Sequence, residues 1–263
     1  MDLTVVDSFT DRPFAGNPAA VTVVDAFPEE GRMQAIAREM NLSETAFVVP
    51  RPDGDHDLRW FSPTIEIDLC GHATLAAAYV LGGAGTFHTR SGVLVCSRAD
   101  DGWIEMDFPA DPTTPEPAPP SLAATLGLDA GTDAAPTVRA FARARSDLVV
   151  ELAHAQTVRD VRPDLGAVAA LGSRGVIVTA PGDRDGIDCV CRMFAPNSGV
   201  AEDPVTGSAH CTLAGYWGER LGRQELVGEQ VSARGGIVRM RRNGDRVVLG
   251  GQAVTVSRVQ LVV

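Results

Sequence analysis

The chain repeats itself, and that repeat constrains the fold more than any other feature. Arg59-Trp-Phe-Ser-Pro63 returns as Arg192-Met-Phe-Ala-Pro196, and His72-Ala-Thr-Leu-Ala76 returns as His210-Cys-Thr-Leu-Ala214. A looser third pair, Ser91-Gly-Val-Leu-Val95 and Gly235-Gly-Ile-Val-Arg239, precedes a glycine-centred turn in each copy, at Gly102 and Gly244. The offsets (192 − 59, 210 − 72, 236 − 92) grow from 133 through 138 to 144. One five-residue match is cheap by chance. Three in the same order, with a slowly growing offset, describe a duplicated unit with small insertions. The 263 residues therefore read as two similar α+β halves, each wrapping strands around one buried helix. The expected lobes are 1–112 and 113–263, with the final strand packing back on the first lobe.

Local patterns fill in the halves. Strands are expected at Leu3–Ser8, Ala19–Val24, Thr45–Pro50, from Asp57 to Phe61, and at Gly92–Ser97 and Trp103–Asp107. Glu29–Asn41 has helical periodicity through Met33, Ile36, Ala37 and Met40. Gly71–Leu81 reads as a helix apolar on nearly every face and closed by Gly82-Gly83. A helix apolar all round must be surrounded by protein. Ala110–Pro120 holds five prolines in eleven residues and reads as an extended linker.

Composition removes whole classes of chemistry. The sequence contains no lysine, so all 23 basic residues are arginine. Without an ε-amine there is no Schiff base, which excludes pyridoxal-phosphate and lysine-aldolase mechanisms. A Gly-Lys-Ser/Thr phosphate loop is excluded as well. The net charge of −11 opposes nucleic acid and anionic membranes. Asp2 and Asp7 interrupt the first apolar run, so it does not read as a signal peptide. The longest apolar run, Ala73 to Leu81, is too short to span a bilayer. The five cysteines are odd in number, with no CxxC, and are expected as free thiols in a reducing cytoplasm. Cys189 and Cys191 alternate in an apolar run, so one is expected in the core and neither as a metal ligand.

Superposing the two copies points at a site. His72 on His210 sets Cys70 opposite Ser208 and Gly71 opposite Ala209, each pair expected at the start of a central helix. Helix N-termini offer unpaired N–H groups and a positive dipole end, which suit a carboxylate. The small residues Gly71, Gly207 and Ala209 would let a ligand approach the backbone.

Five segments carry a resemblance: Val6-Asp-Ser-Phe-Thr10, Phe14-Ala-Gly-Asn-Pro18, Asn41-Leu-Ser-Glu-Thr-Ala-Phe47, Asp68-Leu-Cys-Gly-His-Ala-Thr74 and Glu202-Asp-Pro-Val-Thr-Gly-Ser-Ala-His210. They closely resemble the PhzF family of phenazine-biosynthesis-type isomerases, which is similar to the diaminopimelate epimerases and proline racemases. The resemblance implies two pseudo-symmetric lobes, each a barrel-like sheet around a central helix, with the active site between them. It also implies a homodimer acting without cofactor on a small carboxylated, amino-bearing substrate, with a dihydro-hydroxyanthranilate-like compound as reference. The family's acid/base glutamate falls on Glu44, and its other site residues on His72, Asp203 and Ser208. The epimerase branch uses two cysteines; here the first position is Cys70 but its partner is Ser208. An alcohol near its free pKa is a poor acceptor for a carbon-bound proton, so the two-thiol mechanism is broken.

Each candidate also has a plainer reading. Glu44 could be a solvated strand-start glutamate, and burial beside Leu42 and Phe47 would instead raise its pKa toward the operating range of a general acid/base. His72 could be a core histidine bonded to a carbonyl, or a donor to substrate. Asp203 could be a loop aspartate or helix cap, or contact a substrate amine. Ser208 could cap its helix or donate to a carboxylate. Cys70 could be a small buried hydrophobe, or a thiol acidified by the helix end. His210 and Asn17 read as structural. The i, i+2, i+4 spacing of Asp68, Cys70 and His72 is not a zinc pattern. The expected function is proton transfer between carbons of the substrate through Glu44, with Asp203 and His72 assisting. Gly71, Gly207, Ser208 and Cys70 would bind substrate. The alternatives are an epimerase or racemase using Cys70, and a catalytically idle ligand-binding protein.

Overall fold

The computed structural model describes residues 1–128 and 138–262. The chain divides into two compact units, Met1–Phe108 with Val248–Val263, and Pro109–Val247. The division falls at Phe108 rather than at 112. The stretch from Val248 joins the first unit because the strand Ala253–Gln260 pairs antiparallel along Asp2–Ser8. No helix among the described residues is long and apolar enough to cross a membrane.

In the first unit Asp2–Ser8 pairs antiparallel with Asn17–Val23, which runs parallel to Glu44–Pro50. Glu44–Pro50 is antiparallel to His56–Phe61, and that strand is parallel to Gly85–Thr89. Gly85–Thr89 then leads antiparallel into Gly92–Arg98 and Ile104–Pro109. Each parallel step needs a crossover. The first is the helix Glu30–Met40, which buries Met33, Ile36 and Ala37 and ends on left-handed Asn41 (φ 49°). The second is the helix Gly71–Val80, buried from His72 to Ala78. Its alanines let it lie close to the strands that surround it, and two backbone bonds close it, from Gly82 N to Tyr79 O and from Gly83 N to Ala78 O. Phe47, Phe61, Leu3, Met33 and Ile36 fill one core of this unit.

The second unit has the same wiring. Val138–Arg143 is antiparallel to Asp147–Leu152, which is parallel to Gly175–Pro181. Next come Cys189–Ala195, antiparallel, then Glu225–Gln230, parallel, then Gly236–Asn243, antiparallel. The helix Gly207–Leu221 occupies the second crossover, as Gly71–Val80 does in the first unit. Arg59 and Arg192 show how deep the duplication runs. Arg59 clasps Glu66 through Nε and Nη2, and Arg192 clasps Glu202 in the same way. Each guanidinium also lies over the phenylalanine two residues on, Phe61 or Phe194.

Register turns this likeness into residue equivalences. Phe47 pairs with Arg59, and Val178 with Arg192. Counting back three residues places Glu44 on Gly175. Ala19 pairs with Glu44 and Asp147 with Gly175, so Asn17 falls on Arg145.

Several expectations need correction. Cys189 and Cys191 are both fully buried, since Cys189–Ala195 is covered on both faces. The strand Gly85–Thr89 had no clear sequence signal, since its glycine and two threonines mask the pattern. The proline-rich linker carries a two-residue strand, Thr114–Pro115, paired with Ala142 and Arg143. The two central helices also begin out of step: Cys70 precedes the first, whereas Ser208 is the second residue of the other. The Cys70–Ser208 equivalence itself holds, because Thr74 Oγ1 donates to Cys70 O and Thr212 Oγ1 to Ser208 O.

Candidate active site

In the first unit the sequence candidates converge. Glu44 opens its strand, and His72 lies in the first turn of the buried helix. His72 Nε2 is 2.7 Å from Glu44 Oε2, with the two side chains 8% and 15% exposed. On the other side of the ring, Nδ1 is 3.2 Å from Asn17 Nδ2 and 3.6 Å from Cys70 Sγ. Ser8 Oγ donates to the His72 carbonyl at 2.8 Å. The imidazole is thus contacted at both nitrogens in a site largely closed to water.

Burial by itself pushes the His72 pKa down. Charge and hydrogen-bond interactions with Cys70 and Glu44 outweigh it, and the net direction is well above the ordinary histidine value. Burial, followed by the Glu44 charge, pushes the Cys70 thiol up, and His72 only partly opposes this. The acidification expected from the helix end is therefore overridden by desolvation. Gly71, between Cys70 and His72, is half-buried.

Glu44, Cys70 and His72 could also be weighed as metal ligands, since one donor atom from each lies within 4.8 Å of the others. The third donor is Glu44 and not the exposed Asp68, whose spacing with Cys70 and His72 does not read as a zinc pattern. Zinc bonds of about 2.0–2.3 Å set tetrahedral donors roughly 3.3–3.8 Å apart. Here Glu44 and Cys70 address opposite nitrogens of one ring, so a single ion would require the ring to turn.

The second unit carries the other candidates in a different setting. Asp203 Oδ2 accepts from Thr206 Oγ1 at 2.5 Å, and Gln230 Nε2 donates to Asp203 O. Ser208 is exposed within the first turn of its helix, and it does not take the cap position, which falls on Thr206. Arg174 Nη2 donates to Ser208 Oγ at 2.9 Å while clasping the buried carboxylate of Asp147. Its hydrogen bond to Asp147 chiefly holds the Arg174 pKa up. Gly207 is buried. His210 is a core histidine: Nδ1 faces Thr206 O at 2.8 Å, and burial lowers its pKa to about 4.

Sequence reasoning missed Ser8, Arg174 and Asp147, and it took Asn17 for a turn residue. Each acts on a partner at least 27 positions away, and no local pattern reports that. Register could have flagged Gly175, where a Cβ would meet Phe194 O at 2.6 Å. The second copy has no room for a side chain where the first holds Glu44.

The duplicated α+β wiring defines an epimerase-like fold, here with a carboxyl–imidazole pair beside one of its buried helices. The chain belongs to the phenazine biosynthesis-like protein family (PhzC-PhzF), whose pattern matches residues 6–259. It is 47% identical, over 96% of both chains, to an uncharacterized isomerase of Pseudomonas aeruginosa. A crystal structure of a PhzF-family phenazine biosynthesis protein from Enterococcus faecalis superposes with a TM-score of 0.90 at 40% identity, covering 98% of this chain and 97% of that one. A hydroxyproline epimerase from Agrobacterium vitis shares the fold at a TM-score of 0.60 and 11% identity, covering 98% and 91%.

Proposed function

We propose that the chain is a cofactor-independent isomerase that moves a proton between carbons of a small carboxylated, amino-bearing substrate. Glu44 is the acid/base. The observation that carries this reading is the 2.7 Å approach of Glu44 Oε2 to His72 Nε2 in a buried setting. A carboxylate there can accept a carbon-bound proton and return it to a second carbon on the same face. Ser208 is assigned to carboxylate binding: Arg174 occupies a lone pair of its oxygen, which leaves the hydroxyl proton free to donate. Gly71 and Gly207 keep the backbone open at the two helix starts. Asp203 is assigned to the substrate amine. The isomerase names of the relatives support the reaction class. Cys70, its thiol pushed up by burial, is disfavoured as a base, which weakens the racemase alternative.

The test is incubation with cyclic and acyclic amino acids in D2O, read by mass spectrometry. Wild type incorporates deuterium into at least one ligand that binds, and Glu44→Gln does not. Demonstrated binding without exchange would make the chain an idle ligand-binding protein.

A further inference from the structure

We infer that Ser8 and Asn17 are positioning residues that hold His72 with Nε2 turned toward Glu44. The inference rests on the reading of Glu44 and His72 as the reacting pair.

The two residues oppose each other on one rung of the antiparallel ladder, Ser8 with Asn17. Both are fully buried. From that rung one side chain grips the His72 backbone at O and the other faces the ring at Nδ1. Ring position and ring rotation are thereby fixed from the same two strand ends. Glu44 stands on the next strand over, two rungs further along, where Ala19 pairs with it.

The connection that closes the rung is under strain. Phe9 and Phe14 both have positive φ, 64° and 68°, although neither is glycine. Gly16 follows at φ 64°, and a Cβ there would lie 2.1 Å from Ser8 O. The buried Asp7 carboxylate accepts from Phe14 N at 2.7 Å and holds the loop shut. Non-glycine residues with positive φ are strained and persist where the surroundings over-determine them. Here the strain lets the chain close over a Ser8–Asn17 rung aimed at the histidine.

The second copy supplies the control. Its register places exposed Arg145 where Asn17 stands, and Gly175 where Glu44 stands. The copy without the acid lacks the rung too, and its histidine bonds a carbonyl at the start of its own helix.

Chemistry favours an asparagine at this point. Its amide can donate through Nδ2 to a bare Nδ1, or accept through Oδ1 from a protonated one, so it serves both charge states of the ring. With Nδ2 toward Nδ1, the neutral ring carries its proton on Nε2, the nitrogen that lies 2.7 Å from Glu44 Oε2. Besides Asn17, the groups facing this ring are Glu44 and Cys70.

The experiment uses the full chain labelled with 15N in its histidine rings, observed by long-range proton–nitrogen correlation at alkaline pH, where the neutral ring dominates. Histidine-to-glutamine variants assign the signals. The expected wild-type pattern is a proton on Nε2 and a bare Nδ1 displaced by an accepted hydrogen bond. In Asn17→Leu that Nδ1 resonance returns to the value of an unbonded ring nitrogen, while ligand binding is kept and the deuterium exchange rate drops about tenfold, as expected for loss of alignment. Ser8→Ala keeps the Nδ1 signal and lowers exchange by about threefold. If Asn17→Leu does not fold, as judged by circular dichroism, Asn17→Ala gives the same reading on the same resonance. A neutral proton on Nδ1, or an Nδ1 signal unmoved by loss of the amide, overturns the inference. The spectra decide this without turnover, so failure of wild type to exchange any bound ligand would sink the proposed reaction separately.

Discussion

His72 and His210 occupy the same point of the repeat, yet their rings are held in opposite senses. His210 presents Nδ1 to Thr206 O, a carbonyl that only accepts, so its neutral ring carries the proton on Nδ1. Its Nε2 faces Cys191 Sγ at 3.9 Å, and burial drives its pKa to about 4. His72 instead turns Nε2 to a carboxylate and has its pKa held up by charged neighbours. The helix and its surrounding strands are the same in the two cases. What differs is the residue on the neighbouring strand, Glu44 in one copy and Gly175 in the other. Duplication supplied a scaffold twice, and the residues set around it in register, Glu44 and Asn17 in one copy against Gly175 and Arg145 in the other, give its histidine different surroundings.

The paired arginines offer the sharpest way to break this comparison. Arg192 is nearly buried and donates to Glu202 and to three carbonyls, of Val158, Arg159 and Val161. Removing it leaves the Glu202 carboxylate without its guanidinium and takes one donor from each of three carbonyls, which keep bonds from Arg162 Nη1 or Val161 N. Arg192→Met should lower stability in urea by about 3–5 kcal/mol. Arg59 is more exposed and clasps Glu66 with help from Glu30. Glu66 keeps a second partner in Arg90. Arg59→Met should therefore cost only about 1.5–3 kcal/mol. Equal losses would mean that the two copies bear load alike.

Acid sensitivity comes next in size. His210 has a folded pKa of about 4 against about 6.5 unfolded, so the unfolded chain binds the extra proton first. Its contribution to stability is intact above pH 6.5 and is lost as pH falls toward 4, by about 3 kcal/mol in total. Denaturant titrations from pH 7 to 4 should therefore show a shallower decline in His210→Gln. His72 works with the opposite sign. Its raised pKa stabilises the fold below pH 6.5, and that contribution fades as pH rises through the folded value. His72→Gln should accordingly flatten the alkaline side of the profile. Identical pH profiles for the two variants would remove the distinction between the copies.

The smallest effect is expected at Cys70. Its thiol is protonated and buried, so Cys70→Ser should lower deuterium exchange by only about threefold, far short of the hundredfold or more that loss of a general base costs. A loss as large as that of Glu44→Gln would return the cysteine to the mechanism.

The repeat was legible in sequence because Arg59, His72 and their counterparts keep both identity and order. Glu44 was legible only through its family motif, since nothing in Asn41–Phe47 alone separates it from a solvated glutamate. The grip on His72 was not legible. It depends on Ser8 and Asn17 meeting across a ladder and reaching a helix that begins more than fifty residues later. Charge near Ser208 was hidden for the same reason, because Arg174 and Asp147 meet it through folding and not through spacing. For Cys70 the sequence left two readings, a small buried thiol and one acidified by the helix end, and the burial in the fold favours the first.

If Glu44 carries the proton, the rate of solvent deuterium incorporation into a bound substrate must depend on Glu44 and not on His210, the histidine at the equivalent point of the repeat. The decisive comparison is between Glu44→Gln and His210→Gln, after both are shown to fold. Exchange should fall by at least about a hundredfold in Glu44→Gln and stay within about threefold of wild type in His210→Gln. Exchange at the wild-type rate in Glu44→Gln would contradict a reaction centred on the first copy.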